Sequence, residues 1–331
     1  MMKSPARRFR ISAMTLLAAT HTQEESVTPL RARRLDPPRV MTGNERRLMN
    51  PNRGLIKLFD RYADIFISRF VYPLLDPLWN PYSWQLARRF GLAEAKLSPA
   101  DWPRGLAPLR VLLITDIHAG IFLKAETLWR IIHDLMQLAP DMVVVGGDLV
   151  TGHVNEATKI LDGLVPLTRA PLGAWFCFGN HDYFGGDPEE LRKNLAAIGI
   201  RTLRNDSTMI HHCGGSFVLG GIDDRIMGQP NWEQVLAKHG PPHLLMAHNP
   251  DHFYEAQARG VPLTLSGHTH GGQIRLPNGP AIIRQSRFCL DEGLFSFGQS
   301  LLVVSRGLGS ILLPIRWGAD PEAVLIEITP P

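Results

Sequence analysis

From residue 105 onward the chain repeats one pattern: a short apolar run, a polar cluster at its end, then a helical stretch. The runs at 110–115, 142–145, 174–178, 217–219, 243–247 and 263–266 read as strands. Helical periodicity fills 124–138, 156–165, 188–198 and 232–238, and 300–304 and 323–328 close the chain as strands with no helix between. Such alternation predicts an α/β body with much parallel pairing, finished by β elements. Five polar clusters end these runs: Asp116-Ile117-His118, Gly147-Asp148, Gly179-Asn180-His181-Asp182, His248-Asn249-Pro250 and Gly267-His268-Thr269-His270. In open α/β sheets ligands gather outside the carboxyl ends of strands, so the clusters can meet on one rim.

Together they offer carboxylates, imidazoles and one amide, with no thiolate. That mixture suits borderline divalent ions such as Mn, Fe, Zn or Co better than a zinc cage built from cysteines. In an extended segment side chains alternate, so Asp116 and His118 are expected on one side, and so are His268 and His270. Asp148 stands alone after a glycine, where one carboxylate can serve two ions. Glycines beside these residues permit the close approaches such a rim needs. Each motif alone is weak, and a turn explains any one of them; their joint order at strand ends is what points to a metal site.

The three cysteines, Cys177, Cys213 and Cys289, form no C-x-x-C pair and no disulfide framework. Residues 1–53 hold 11 Lys/Arg against 4 Asp/Glu, while the other 278 residues hold 24 against 27. The basic charge therefore sits in a tail expected to be disordered, and the acidic body argues against nucleic acid as a partner. Arg7-Arg8-Phe9 before a short apolar stretch resembles a twin-arginine export signal. Residues 54–104 hold ten of the 26 Phe, Trp and Tyr residues. Leu55, Phe59, Tyr62, Phe66 and Phe70 recur at helical spacing. This segment is expected to form an amphipathic helical extension, packed on the body or in contact with an anionic membrane surface.

Taken in order, D-x-H, G-D, G-N-H-D, H and G-H-T-H resemble the calcineurin-like metallophosphoesterase superfamily. The strings SGHTHGGQIRLP and VSRGLGSILLPIRWGADPE resemble its bacterial YkuE/YaeI-like phosphodiesterase branch. The resemblance covers 108–331 and implies two mixed β-sheets sandwiched between helices, with residues 105–331 as the catalytic domain. It implies one ion on Asp116, His118, Asp148 and His270, and a second on Asp148, Asn180, His248 and His268. Asp148 would bridge them, with Mn favoured. His181 would be the catalytic histidine at the scissile phosphate, and Asp182 would orient it.

The expected activity is hydrolysis of a phosphodiester or pyrophosphate bond by a hydroxide shared between two ions. The aromatic extension favours a membrane-associated substrate such as UDP-diacylglucosamine. Alternatives are a generic phosphodiesterase, a phosphoprotein phosphatase, or a non-catalytic metal-bearing module that binds phosphorylated headgroups. A cytoplasmic location at the inner membrane surface follows from the first reading, and export from the tail reading. Among other residues, Arg275, Arg306 and Arg316 are candidates for binding phosphate. His153 is a candidate for facing substrate. His133 is read as structural, His252 as a helix-start residue, and Asp223-Asp224 as a turn.

Overall fold

A computed structural model describes residues 30–41, 81–120, 122–275, 281–282 and 284–331. The twin-arginine stretch and the apolar positions Leu55 to Phe70 lie outside the described residues. In chain order the elements are β1 (Arg31–Arg34), β2 (Arg39–Val40), α1 (Pro81–Arg89), β3 (Gly91–Leu97), β4 (Leu109–Ile114), α2 (Ala125–Met136) and β5 (Met142–Val145). Next come α3 (Leu161–Leu164), β6 (Ala174–Phe176), α4 (Pro188–Ala197), β7 (Arg201–Thr202), β8 (Asp206–His212) and β9 (Gly215–Gly221). The last are α5 (Trp232–Ala237), β10 (Leu244–Met246), α6 (Phe253–Ala258), β11 (Leu263–Ser266), β12 (Gly293–Phe297), β13 (Ser300–Val304) and β14 (Glu322–Ile328).

The strands build two seven-stranded sheets, ordered β1-β3-β14-β4-β5-β6-β7 and β2-β12-β13-β11-β10-β9-β8. Both are mixed. β4, β5, β6 and β7 run parallel, and so do β9, β10, β11 and β13, while β14 opposes β4, and β8 opposes β9. Alternation along β4 explains the layers. Val111 and Leu113 face a core shared with Leu219, Leu244, Met246 and Leu265 of the second sheet. Leu112 and Ile114 face the opposite way, onto Leu128, Ile132 and Leu135 of α2. A strand covered on both faces reads as an unbroken apolar run, as VLLI at 111–114 does. On the far side, Leu245 and Ala247 pack against Trp232 and Val235 of α5 and Ala256 of α6. Helices thus cover both outer faces of the sandwich.

Two expectations for the N-terminal third need correction. The stretch expected to be helical to residue 104 turns into β3 at Gly91, paired with β14 along its whole length. Its Ala93, Ala95 and Leu97 alternate into the inter-sheet core. Period-two spacing was present there, but the density of aromatics around it obscured it. Trp102, counted with the aromatic extension, is 1% exposed and packs 5.2 Å from Phe217. Nor is the basic segment unpaired throughout, because β1 joins β3 and β2 joins β12. Every residue of β1 is exposed. An edge strand needs only backbone groups for pairing, so a charged sequence such as RARR can supply one.

Charge fastens this edge to the sheet. Arg33 Nη2 donates to Glu322 Oε2 at 2.7 Å, and Arg306 Nε donates to the same oxygen at 3.0 Å. Burial alone would raise the Glu322 pKa, but Arg306 and Arg33 outweigh it and hold the group below its usual value. A depressed carboxylate pKa adds stability above the unfolded value of about 4.3, and that stability is lost as the pH falls through the folded value. Glu322→Gln should therefore cost about 3 kcal/mol at pH 7. Denaturant titrations of both proteins should show the gap closing in acid; a gap independent of pH would contradict this account.

Candidate metal centre

The five polar clusters follow β4, β5, β6, β10 and β11. Three of these strands belong to one sheet and two to the other, and their carboxyl ends share one edge of the sandwich. Loops from both sheets meet there, where His268 N donates to Asp116 Oδ1 at 3.0 Å, and the loops of each sheet also pair among themselves. Asp116 N donates to Gly147 O at 2.9 Å, His118 N to Asp148 O at 3.0 Å, and Gly267 N to His248 O at 3.0 Å.

Three sets of side chains place ligand atoms within 4.8 Å of one another: Asp116, His118 and His270; His118, Asp148 and His181; and Asp148, His248 and His268. The Nε2 atoms of His118 and His270 are 3.1 Å apart, and His270 Nε2 lies 3.4 Å from Asp116 Oδ1. Ligands about 2.1 Å from one ion and at right angles sit ~3.0 Å apart, so this spacing fits a shared cation. Asp148 Oδ2 lies 3.0 Å from His248 Nε2 and 3.8 Å from His118 Nε2, so one carboxylate adjoins both groups. Asn180 stands beside them, with its Oδ1 buried and lacking a hydrogen-bond partner among the described residues. The donor set and this unsatisfied buried oxygen fit divalent cations.

Convergence does not come from strand pleating, as the sequence suggested. Asp116, His118, Asp148, His268 and His270 all have positive φ, between 48° and 71°. They make up half of the ten described non-glycine residues with positive φ. Each left-handed residue costs of order 1–3 kcal/mol and persists only where its surroundings over-determine it. The neighbouring glycines allow the approach. A Cβ on Gly147 would lie 2.7 Å from both Gly179 N and His248 Nδ1. A Cβ on Gly267 would collide with the Asp116 carboxylate.

Electrostatics separate the titratable groups. Burial pushes the His118 and His270 pKa values well down, aided by His181 at the first and by Arg316 at the second. Burial also opposes charge on Asp148, but His248, His181 and His118 outweigh it and hold the carboxyl well below its usual range. In return Asp148 overcomes the effect of burial on His248, which rises to about 10. Burial lifts Asp116 to about 6, against the pull of His248 and with the help of Asp148.

His181 lies at the same rim, with its ring 4.7 Å from that of His118. Its Nδ1 is 2.6 Å from Thr151 O. A carbonyl only accepts, so this contact keeps a proton on Nδ1 and turns Nε2 away from the backbone. Asp182 does something other than orient His181. Its two oxygens accept from the backbone N–H groups of Asp148, Leu149, Val150 and Gly179. It therefore clamps the Asp148 loop to the Asn180 loop, and Thr151 takes the orienting part.

Remaining candidates lie away from the centre or carry other partners. Arg275 and Arg306 pair with Glu292, and Arg306 also with Glu322. Arg316 is fully buried and reaches His270 instead of solvent. His153 caps a short helical turn by accepting from Asn155 N. His133 stacks on Trp129 at the surface, and Asp224 closes a turn by accepting from Ile226 N and Met227 N. Thr151, Tyr82 and Gln85 were missed. Arg316, a phosphate-binding candidate by sequence, is buried although alternation in Leu313-Pro314-Ile315-Arg316-Trp317 would place it outward; the apolar Leu313, Ile315 and Trp317 are the exposed ones instead.

A two-sheet sandwich with N/O donors converging at its edge defines a metal-dependent hydrolase architecture of the calcineurin-like phosphoesterase type. The family model for calcineurin-like phosphoesterases matches residues 109–272. The metallophosphoesterase YkuE of Bacillus subtilis is 30% identical over 68% of this chain and 81% of its own length. The phosphodiesterase YaeI of Escherichia coli is 33% identical over 67% of this chain and 83% of its own. A Danio rerio transmembrane protein with a metallophosphoesterase domain is 32% identical over 72% of this chain and 57% of its own. This chain belongs to the calcineurin-like phosphoesterase family and is a metal-dependent phosphoric ester hydrolase.

Proposed function

We propose that the chain hydrolyses a phosphodiester or pyrophosphate bond with two divalent ions, and that Mn serves. Asp116, His118, Asp148 and His270 would hold one ion. Asp148, Asn180, His248 and His268 would hold the other. The observation that carries this reading is the position of Asp148, whose carboxylate adjoins ligand atoms of both groups. The ions, when bound, supply Lewis-acid activation of water and charge for the phosphate oxygens. The protein's own residues do the rest. Asp182 and the glycine turns hold the donors in place before substrate arrives. His181, kept in one orientation by Thr151 O, delivers a proton from Nε2 to the leaving oxygen.

For substrate we favour a lipid-linked pyrophosphate such as UDP-diacylglucosamine at an anionic membrane surface. The support is compositional: the aromatics of 54–104, leaving out Tyr82, Phe90 and Trp102, which are buried, beside a basic tail. Trp84 of α1 adds to it, being 56% exposed with the Arg88 guanidinium 4.9 Å from its ring centroid. Among the described residues no helix is long and apolar enough to cross a membrane.

The test is hydrolysis by the full chain after chelation and after readdition of Mn. Substrates are a simple phosphodiester, a phosphomonoester and UDP-diacylglucosamine in mixed micelles. Chelation should abolish turnover and Mn should restore it, with UMP released from the lipid. Turnover of the simple diester alone would remove the lipid assignment. Metal binding without any turnover would favour a headgroup-binding module.

A further inference from the structure

Arg316 is fully buried, and among the described residues no carboxylate pairs with it. Its Nε and Nη2 donate to Gly309 O at 2.8 and 2.6 Å, and its Nη1 donates to Ala319 O at 3.3 Å. Nη2 also lies 2.9 Å from His270 Nδ1. Removing an ion from water without a counter-charge costs several kcal/mol, which the fold must offset elsewhere.

The acceptors of this guanidinium back one half of the metal centre. Gly309 N donates to Asp116 O at 2.5 Å, and Leu308 N to Thr115 O at 3.0 Å. A Cβ on Gly309 would lie 2.6 Å from the Asp116 and Ile117 carbonyl oxygens and 2.7 Å from His118 Cβ. The 307–309 loop is therefore pressed against the Asp116–His118 turn. Arg316 grips that loop and the His270 ring with one planar group. The other half is supported differently. His248 Nδ1 faces Gly146 O at 2.8 Å, the usual backing of a ligating histidine by a carbonyl.

Arg316 is itself held from outside the family-matched residues 109–272. Gln85 of α1 accepts from Arg316 N at 2.8 Å and donates from Nε2 to Arg316 O. The Tyr82 hydroxyl, one turn away, has one proton and two carbonyl acceptors in reach, Leu308 O and, at 2.9 Å, Gly309 O. Both side chains are buried. We propose that Arg316 is a positioning residue for the Asp116, His118 and His270 half of the centre, and that α1 carries it there through Gln85 and Tyr82. Helix α1 is then part of the metal site's support. This inference rests on the reading that the centre holds two ions.

Mn binding to the full chain, counted by calorimetry and by electron paramagnetic resonance, tests it. The wild type should bind two ions; fewer would defeat the two-ion reading whatever Arg316 does. Given two, Arg316→Met should weaken one of them by about 10–100-fold and leave the other unchanged, the usual effect of losing a partner behind a ligand. The weakened ion should be the one lost in His118→Ala. Arg316→Lys should be nearly as impaired, because a point charge cannot span three acceptors as a planar fork does. Gln85→Ala leaves the guanidinium in the chain and should weaken the same ion by a smaller factor. If Arg316→Met does not fold, Gln85→Ala decides: selective weakening supports the proposal and unchanged binding overturns it. Equal weakening of both ions would reduce Arg316 to a general structural role. Tighter binding in Arg316→Met, with Arg316→Lys unchanged, would show that only its charge matters and would also overturn positioning.

Discussion

Asp148→Asn should bind fewer metal ions and lose more activity than any other single change at the rim. Its carboxylate makes three kinds of contact. Oδ1 accepts from His181 N at 2.7 Å, Oδ2 lies 3.0 Å from His248 Nε2, and the same oxygen is 3.8 Å from His118 Nε2. Asparagine keeps the shape and can keep the bond to His181 N. It removes the negative charge that raises the His248 pKa, and it can turn an N–H toward a ring that needs an acceptor. Both proposed ions would lose a ligand at once. The fall in kcat should exceed the ~10²–10⁴-fold range of a lost general acid. Metal content measured on the purified variant should drop with it. A variant that kept two ions and activity within tenfold of wild type would sink the bridging role.

His181→Asn should separate chemistry from metal binding. The backbone N–H of residue 181, which supports Asp148, survives the substitution. What disappears is the ring held against Thr151 O. We expect kcat to fall by about 10²–10⁴-fold, with metal content and thermal stability nearly unchanged. Leaving-group dependence provides the sharper measurement. A nitrophenolate departs without a proton, whereas an alkoxide gains from one. The loss should therefore shrink for the nitrophenyl ester and be largest for the alkyl ester. Equal losses on both would mean that His181 acts by positioning phosphate and not by proton donation.

Much of this centre was legible because each polar cluster directly follows an apolar run. A strand that ends at Ile114 or Val145 hands the next residues to the sheet edge, and parallel order puts those edges together. The local geometry was not legible. Asp-x-His looks like two neighbours on one face of an extended strand, yet Asp116 and His118 both turn left-handed. Propensity disfavours that backbone for either residue, and only loops packed from both sheets hold it there. Asp182 was misread for a related reason. Beside His181 in sequence, it looked like an orienting carboxylate, but its acceptors were already claimed by four backbone N–H groups. At the N-terminal side, aromatic density concealed the A-E-A-K-L alternation of β3.

The amino-acid sequence alone determined the αββα class, the order of the donors and the chemistry those donors can do. All three depend on local information: hydrophobic period, the residue types at run ends, and their succession along the chain. Tertiary structure decided which donors approach within ligand distance, which backbone bonds hold them, and that a helix some 180 residues before His270 braces the arginine behind it. These depend on contacts between distant segments. The free energy of such contacts belongs to the packed loops together, and no stretch of the chain carries it by itself.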